Sequence, residues 1–334
     1  MAMKFIRIIL FPLMPIYYII TWLRNWCYDN GILKSKSYNV PIICVGNLST
    51  GGTGKTPMIE LLISLLHKKK SVATLSRGYK RSTEGFILGD ENASASLIGD
   101  EPFQFFKKFD DIKVAVDSNR QNGISNLLKL SSPPDVILLD DAYQHRKVRA
   151  GLNILLTSFS KPYYKDYVLP TGNLREPRSG KNRADIVVVT KCKIGITETD
   201  KEEYKERLKL KSNQSIFFSY IDYAGDVIGL KTTLKLNELP KFTLVTGIAN
   251  AKPLVEYLAK QDLTFDHIEY PDHHNFKTSE IEMLSQKELI LTTEKDYMRL
   301  SNNDSLKEIL FYLPIQTKID GVDNFKKEIK SFIT

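Results

Sequence analysis

The residues with the clearest chemical potential form a glycine-rich loop that follows an apolar run. The loop consists of Ser49, Thr50, Gly51, Gly52, Thr53, Gly54, Lys55 and Thr56. Glycines carry no Cβ atom, so the backbone can wrap closely around a polyphosphate and direct its N–H groups at the oxygens. Lys55 could then reach the terminal phosphates, and the Thr56 hydroxyl could bind Mg²⁺. The spacing predicts a phosphate-binding loop.

One residue of the loop departs from the general pattern GxxxxGK[ST], which has glycine where this chain has Ser49. A glycine loop with another purpose is therefore the alternative. The apolar run before the loop and the helical pattern after it favour phosphate binding. A helix N-terminus presents free N–H groups and the positive end of its dipole to an anion.

Two carboxylates follow the apolar run at residues 136–139. Asp140 and Asp141 stand where a strand would end, and such a carboxylate near a phosphate loop can hold Mg²⁺ directly or through water. Apolar strands that end in aspartate are common. The position of this pair downstream of the glycine loop favours a role in metal binding.

Asp100 and a pair of histidines are candidates for proton transfer. Asp100 stands where a residue that caps a helix would stand, and the same carboxylate could accept a hydroxyl proton during phosphoryl transfer. The residues alone favour the cap. His273 and His274 follow Asp272, and no further ligands stand at a recognisable zinc spacing. Acid-base chemistry or substrate contact is therefore favoured over a metal site.

Short apolar runs alternate with helical patterns from residue 40 onward, which is typical of a mainly parallel α/β sheet. The runs predict strands at 42–45, 72–75, 113–116, 136–139, 154–156 and 186–189. Helices are expected at 57–70, 101–109 and 119–130. The polar, basic stretch at 161–183 is expected to form a loop over the carboxyl edge of the sheet.

A second, smaller α/β unit is expected in the last third of the chain. A charged helix at 201–212 and a strand pair at 216–220 and 227–231 precede it. Strand and helix patterns then alternate at 242–246, 253–261, 267–270, 279–284 and 289–292. The expected division is an N-terminal membrane-associated segment at 1–36, a phosphate-loop domain at 37–231 and a smaller domain at 232–334.

Composition narrows the class of protein and of partner. The chain has 334 residues, of which 42% are hydrophobic and 26% charged, and a formal net charge of +8. These values describe a globular protein that attracts anionic partners. Cys27, Cys44 and Cys192 show neither paired spacing nor a metal pattern. A reducing compartment is therefore expected rather than a disulfide framework.

The N-terminal segment is apolar enough to associate with a membrane. Residues 5–23 are apolar except for Arg7 and Thr21, but a helix of this length barely spans a bilayer. Pro12 and Pro15 are expected to kink or break it, and nearby aromatic residues suit a headgroup interface. An interfacial anchor is favoured over a spanning helix and over a buried core helix, and no cleavage site of a signal peptide follows.

Together, these motifs resemble the tetraacyldisaccharide 4'-kinases, the lipid A 4'-kinases of Gram-negative bacteria. The resemblance spans most of the chain, and the order of its motifs is highly specific. The motifs are VGNLSTGGTGKTP at 45–57, SRGYKR at 76–81, GDEP at 99–102, LLDDAYQH at 138–145, GNLREP at 172–177, PDHHNF at 271–276 and TEKD at 293–296. The family usually has a polar residue at the position of Ser49. The chain departs from it at Ala142, where glycine is common, and at the second histidine, His274.

The resemblance implies transfer of the γ-phosphate of ATP, with Mg²⁺, to the 4'-hydroxyl of a tetraacylated disaccharide 1-phosphate in lipid A biosynthesis. It implies a P-loop fold and a lipid substrate at the cytoplasmic face of the inner membrane. No nucleic acid and no protein partner is expected. By motif, Lys55 and Thr56 would hold phosphates and metal, and Asp140 and Asp141 would organise Mg²⁺.

The resemblance also changes the interpretation of Asp100. It implies that Asp100 is the base that takes the 4'-hydroxyl proton, assisted by His273, in place of the cap favoured above. The second histidine leaves the choice between His273 and His274 partly open. Arg175 and Glu176 would line the nucleotide or metal side of the site.

Two other classes of function compete with the kinase. A membrane-peripheral P-loop NTPase of the metallochaperone or partitioning type would use a similar loop, but partitioning ATPases often carry lysine where this chain has Thr50. A guanine site would want an aspartate at the position of Lys193. A non-enzymatic membrane adaptor would leave the glycine loop and the paired aspartates unexplained. The kinase is the preferred interpretation.

Overall fold

A computed structural model describes residue 7 and residues 9–272 and 274–334. Within this part of the chain, a nine-stranded sheet and a six-stranded sheet carry the fold. Most strand pairs in both sheets are parallel. The mainly parallel α/β architecture expected from the sequence is therefore confirmed.

The large sheet contains the phosphate loop. Its spatial order is β15-β8-β7-β6-β1-β5-β2-β4-β3, and only the pairs at its two edges, β3 with β4 and β8 with β15, are antiparallel. Its strands are β1 (Ile42–Asn47), β2 (Val72–Ser76), β3 (Ile87–Leu88), β4 (Lys113–Val116), β5 (Val136–Asp140), β6 (Leu152–Ser158), β7 (Ile186–Thr190), β8 (Ser215–Tyr223) and β15 (Ile315–Ile319).

Continuous apolar runs form the central strands because helices cover both faces of the sheet. Ile43 and Val45 of β1 contribute to the core on one face, while Ile42 and Cys44 contribute to the core on the other. The helices of this unit are α1 (Met14–Asp29), α2 (Lys55–Leu66), α3 (Ala95–Ile98), α4 (Asp100–Lys108), α5 (Arg120–Leu127) and α6 (Glu198–Leu208). The core on the first face includes α2 and α4, and the core on the second includes α5 and α6.

The smaller sheet has the order β10-β9-β14-β13-β11-β12. Its strands are β9 (Asp226–Ile228), β10 (Thr233–Lys235), β11 (Phe242–Thr246), β12 (Phe265–Glu269), β13 (Ile290–Thr293) and β14 (Leu310–Leu313). The helices that connect them are α7 (Lys252–Lys260), α8 (Thr278–Ser285) and α9 (Glu294–Leu300). The end of α9 approaches the first turn of α4, so the two sheets are joined by helices as well as by the chain.

The chain returns to the large sheet at its C-terminal end. Strand β15 pairs antiparallel with β8, and α10 (Val322–Ile333) follows it. Phe325 of α10 is fully buried, and its ring lies 5.2 Å from that of Phe217 in β8. Strand β1 and α10, which lie far apart along the chain, thus contribute to the same core.

The expected pairing of 216–220 with 227–231 is wrong. Strand β8 lies between β7 and β15 in the large sheet, whereas β9 pairs with β10 and β14 in the small one. Val227 is fully buried in the core of the small sheet, so burial and not proximity along the chain determines its partners. Sheet membership changes between β8 and β9 and again before β15. The expected division into domains at residue 231 stays a prediction.

Helix α1 has one packed side and one exposed apolar side. Met14 and Tyr17 pack on the core of the large sheet, and the amide of Asn25 donates to Glu176 at 2.6 Å. The exposed side consists of Ile16, Ile19, Ile20, Trp22, Leu23 and Trp26, each 43–60% exposed. No helix in the described part of the chain is long and apolar enough to cross a membrane.

The N-terminal prolines interrupt the helical segment, as expected: residues 7 and 9 are helical, and a turn at Leu10 and a 3₁₀ helix separate them from α1. Pro12 lies in the first turn of a short 3₁₀ helix (Phe11–Leu13), and Pro15 lies in the first turn of α1. The first-turn N–H groups of a helix have no carbonyl partner within it, so a proline there removes no hydrogen bond.

Candidate active site

The glycine loop joins β1 to α2 and has the backbone conformation that its sequence requires. Gly51 has a φ of 109° and Gly54 a φ of 86°, in the region that favours glycine. Gly54 immediately precedes α2, which begins at Lys55. The free N–H groups of the first turn of α2 therefore border the loop, as an anion site requires.

The end of β7 holds the loop in place and adds positive charge. The Thr190 hydroxyl donates to the carbonyl oxygen of Thr53 at 2.7 Å, and the Lys191 ammonium donates to that of Gly52 at 2.6 Å. Burial lowers the pKa of Lys191, and the positive charges of Lys161 and Lys55 lower it further. Crowded cations next to a glycine loop suit a polyphosphate ligand.

The stretch at 161–183 runs beside the glycine loop, as expected from its composition. The Thr50 N–H donates to the carbonyl oxygen of Asn173 at 2.7 Å, and the Arg175 N–H donates to that of Leu48 at 2.7 Å. Ser49 forms a β-bridge with Leu174. The backbone of this stretch therefore fixes the start of the phosphate loop.

Asp140 ends β5 and is almost completely buried. It pairs with Val45 of the neighbouring strand β1, and its side-chain Oδ1 has no hydrogen-bond partner among the described residues. Burial raises the pKa of Asp140 to about 7; Glu101 and Asp141 raise it as well, while Lys55 opposes them. A bound cation would compensate a carboxylate in such surroundings.

Asp141 contacts two other predicted site residues, Lys55 and Arg175. It adopts a positive φ of 48°, and its carboxylate accepts hydrogen bonds of 2.9 and 3.1 Å from the guanidinium of Arg175. The Lys55 ammonium lies 3.7 Å from its Oδ1. Thr56 follows Lys55 in the first turn of α2.

These oxygen donors fit Mg²⁺. The ion favours hard oxygen ligands and usually takes one or two carboxylates together with phosphate oxygens and waters. The carboxylates of Asp140 and Asp141 and the hydroxyl of Thr56 are such donors, and no residue that the structure describes donates a hydrogen bond to the buried Oδ1 of Asp140.

Glu176 lies next to Arg175 in sequence but has different surroundings. Its side chain is 3% exposed. One oxygen accepts hydrogen bonds from Gln144 at 2.9 Å and Arg183 at 2.8 Å, and the other accepts one from Asn25 of α1. These contacts tie α1 to the loop that borders the phosphate site.

Asp100 is the first residue of α4, and Gly99 occupies the cap position before it. Its carboxylate forms an ion pair with Arg299 of α9, whose Nε donates at 3.2 Å. The next residue, Glu101, raises the pKa of Asp140. The N-terminus of α4 therefore lies close to the carboxyl end of β5, where the phosphate loop also lies.

The two histidines differ in what the structure describes. The His274 ring nitrogen Nε2 lies 2.8 Å from Glu280, and the ring stacks on Tyr270 with centroids 4.6 Å apart. His274 thus packs within the small unit. His273 lies outside the described residues, and its role stays a prediction.

Sequence reasoning missed several residues that the fold brings to the site. Thr190 and Lys191 hold the glycine loop, but they belong to none of the motifs that predict a phosphate site. Arg299 follows the TEKD motif by three residues, and that spacing on a helix was the only available signal for it. Its partner Asp100 lies 199 residues away along the chain.

Comparisons with known proteins agree with this geometry. The family model described as tetraacyldisaccharide-1-P 4'-kinase (LpxK) matches residues 6–334. A tetraacyldisaccharide 4'-kinase of Flavobacterium johnsoniae is 51% identical over 99% of this chain and 98% of its own length. One of Bacteroides fragilis is 43% identical over 93% of this chain and 89% of its own.

A solved structure is similar over the whole fold. It is described as the "apo" form of LpxK from Aquifex aeolicus in complex with ATP, and it is 30% identical with a TM-score of 0.80. The match covers 98% of this chain and 100% of that one. From the family match, the curated relatives and this shared fold, we conclude that the chain belongs to the tetraacyldisaccharide 4'-kinases, the ATP-dependent kinases of lipid A biosynthesis.

Proposed function

We propose that this chain phosphorylates the 4'-hydroxyl of a tetraacyldisaccharide 1-phosphate at the site formed by the glycine loop, Asp141 and Asp100. The observation that carries this assignment is the convergence of three elements. Lys55 at the start of α2 approaches Asp141, which follows β5, and Gly99, the residue before α4, lies against Gly78 and Tyr79, which follow the neighbouring strand β2. A nucleotide, a metal and an acceptor hydroxyl would meet there.

In this assignment the loop from Ser49 to Thr56 binds the phosphates of ATP. Its backbone N–H groups and the first turn of α2 bind the oxygens, while Lys55 reaches the terminal phosphates. Thr56, Asp140 and Asp141 would hold Mg²⁺, which neutralises charge on the phosphates when it is bound. The solved relative described with ATP supports the choice of nucleotide.

Asp100 takes the proton of the acceptor hydroxyl, and His273 assists it. Phosphoryl transfer passes through a loose transition state, so the alcohol must be aligned with the γ-phosphate more than it must be strongly activated. A carboxylate held rigidly by Arg299 at a helix N-terminus suits this task.

The assay follows label from γ-labelled ATP to the lipid disaccharide 1-phosphate. We expect labelled lipid from the wild-type chain and almost none from Asp100→Ala with an unchanged fold. Asp323→Ala is the matched control, because Asp323 also lies in the first turn of a helix, pairs with a lysine and is exposed. Near-wild-type lipid labelling by Asp100→Ala would refute the base, and label released only as inorganic phosphate would favour a P-loop NTPase.

The exposed side of α1 supports a position at the cytoplasmic face of the inner membrane. Six large apolar or aromatic side chains face solvent together on this helix, and a patch of this kind marks an interaction surface. Two of them are tryptophans, which favour headgroup regions. The opposite side of α1 contacts Arg175 and Glu176, so a lipid bound at α1 would lie near the phosphate site.

The domain division 1–36, 37–231 and 232–334 belongs to the same proposal. The smaller unit would close over the site and exclude water during transfer. Ion pairs between α9 and α4 support this proposal, because the two helices lie on opposite sides of the boundary at residue 231.

A further inference from the structure

A buried arginine connects the smaller sheet to the proposed base. The side chain of Arg299 is 9% exposed. Its Nε and one terminal nitrogen donate to the same carboxylate oxygen of Asp100, and its other terminal nitrogen donates to Asp296 at 3.1 Å. The guanidinium thus bridges two carboxylates that belong to different units.

The far end of this bridge is rigid. Asp296 is fully buried. Its second oxygen accepts a hydrogen bond from the Gly247 N–H at 2.8 Å and one from the Thr293 hydroxyl at 2.7 Å. These donors follow β11 and end β13, so Asp296 is fixed to the central strands of the small sheet. Arg299 therefore has little freedom to leave its position.

We propose that Arg299 is a positioning residue for phosphoryl transfer, and that it acts by orienting the carboxylate of Asp100 toward the acceptor hydroxyl. The inference rests on the proposed role of Asp100. The two guanidinium donors converge on one oxygen of Asp100 and hold it in place more firmly than a single donor would. Orientation is also what a loose transition state demands of the residue facing the alcohol.

A purely structural role is the competing explanation, and the helix pair provides its own control. At the other end of α4, Lys108 forms an ion pair with Glu294, the first residue of α9, at 2.9 Å. Asp100 begins α4 and Arg299 lies near the end of α9, so the helices run antiparallel with an ion pair at each end. Only the Arg299 pair includes the proposed base.

The first experiment compares three variants of the full-length chain: Arg299→Met, Arg299→Lys and Lys108→Gln. The measurements are single-turnover lipid phosphorylation, KM for ATP and thermal unfolding. We expect Arg299→Met to lower the rate about 100-fold, the size of effect that a small misplacement produces, with KM for ATP unchanged. The rate of Arg299→Lys should lie between those of Arg299→Met and wild type. Lys108→Gln should lower Tm but keep a rate near that of wild type.

The second experiment is a double-mutant cycle with Asp100→Asn. If Arg299 acts through Asp100, then Arg299→Met causes no further loss of rate in the Asp100→Asn background. Three results would overturn the inference: additive losses in the cycle, a near-normal rate of Arg299→Met, or an equal loss in Lys108→Gln. A normal rate of Asp100→Asn alone would instead remove the proposed base, and the inference with it.

Discussion

Lys55 and Arg175 both approach Asp141, and these two cations stabilise a carboxylate at the edge of a phosphate site. Without them, the negative charge would repel the nucleotide. The same carboxylate could bind Mg²⁺, so the contacts of Asp141 combine the metal and phosphate functions of the site. Lys55 is the only one of these residues that belongs to the glycine loop.

Replacement of Lys55 tests the loop at the level of one side chain. Lys55→Met should lower kcat/KM for ATP by about 100- to 1,000-fold, as loss of a group that stabilises transition-state charge does. Its Tm should change little, because the Arg175 guanidinium still pairs with the carboxylate of Asp141. The measurement is steady-state lipid phosphorylation over a range of ATP concentrations. Lys68→Met, an exposed lysine just beyond the end of α2, is the control, and an equal loss there would contradict the assignment.

At this scale the sequence predicted what is local and missed what is not. The residues of the phosphate loop are consecutive in one short motif, and Asp140 and Asp141 are consecutive in another, so their chemistry follows from residue type. Arg299 reaches Asp100 only after the chain has folded through most of both sheets. No pattern along the chain encodes that contact.

At the scale of elements, a buried ionic cluster joins α2, α4 and α9. Lys108 donates to Glu60 of α2 at 2.8 Å and lies 2.9 Å from Glu294 of α9, and the Gln104 amide donates to Glu60 at 2.8 Å. Burial raises the pKa of Glu60 to about 7, and the nearby Glu294 raises it as well. Two carboxylates thus share one ammonium between three helices.

This cluster predicts a pH dependence of stability. Between pH 4.5 and about 7, the folded chain keeps a proton on Glu60 that the unfolded chain has lost. The stability from this group is therefore greatest below pH 4.5 and declines as the pH rises to about 7. The free energy of unfolding of Glu60→Gln, taken relative to that of wild type, should be higher at about pH 8 than at about pH 5. Chemical unfolding measures this difference. Parallel pH profiles of the two proteins would contradict this, and the exposed Glu202→Gln should give such parallel profiles.

A glycine inside β1 sets how closely the strand approaches the loop after β5. A Cβ atom on Gly46 would lie 2.6 Å from that of Tyr143, and Tyr143 is itself held by a hydrogen bond from its hydroxyl to the carbonyl of Gly180. Gly46→Ala should therefore lower the free energy of unfolding by about 1–3 kcal/mol, the usual cost of overpacking a core. Gly225→Ala has open space around it and is the control. A loss in Gly46→Ala no greater than in the control would show that the strand can move aside.

The prediction of elements succeeded where apolar runs were bounded clearly. The observed bounds of β4 and β11 equal the predicted ones, and a charged residue marks one end of each strand, Asp117 after β4 and Lys241 before β11. Helix α9 has only seven residues, which is too short for a helical period to be recognised. Strand β15 alternates between half-buried and exposed positions at the edge of the large sheet, so it lacks the continuous apolar run of the central strands.

At the scale of the whole molecule, the position of α1 predicts membrane binding that does not depend on the active site. Replacing Ile19 and Ile20 by glutamate should not destabilise the fold, because both side chains are already 57–60% exposed. The same change should sharply reduce cosedimentation with phospholipid vesicles, because charge in the apolar side of an interfacial helix opposes its insertion. The activity on a detergent-solubilised substrate should remain.

The control for this change is Ile194→Glu, since Ile194 is 73% exposed in the loop between β7 and α6. It should leave vesicle binding unchanged. Unchanged binding of the Ile19 and Ile20 variant would exclude α1 as the membrane contact. Point variants are preferable to removal of the segment, because a deletion would also remove the contacts of Tyr17 and Asn25 with the loop at Arg175 and Glu176.

The return of β15 and α10 to the large sheet affects how this protein folds during its synthesis. Helix α1 precedes every strand of the large sheet along the chain, whereas α10 at residues 322–333 follows all strands of both sheets in the described part of the chain. Domains generally fold as units during synthesis, from the N-terminal end. Here the large sheet lacks an edge strand and a helix until the small sheet has been synthesised. The nascent chain thus displays the exposed apolar side of α1 before the large sheet is complete.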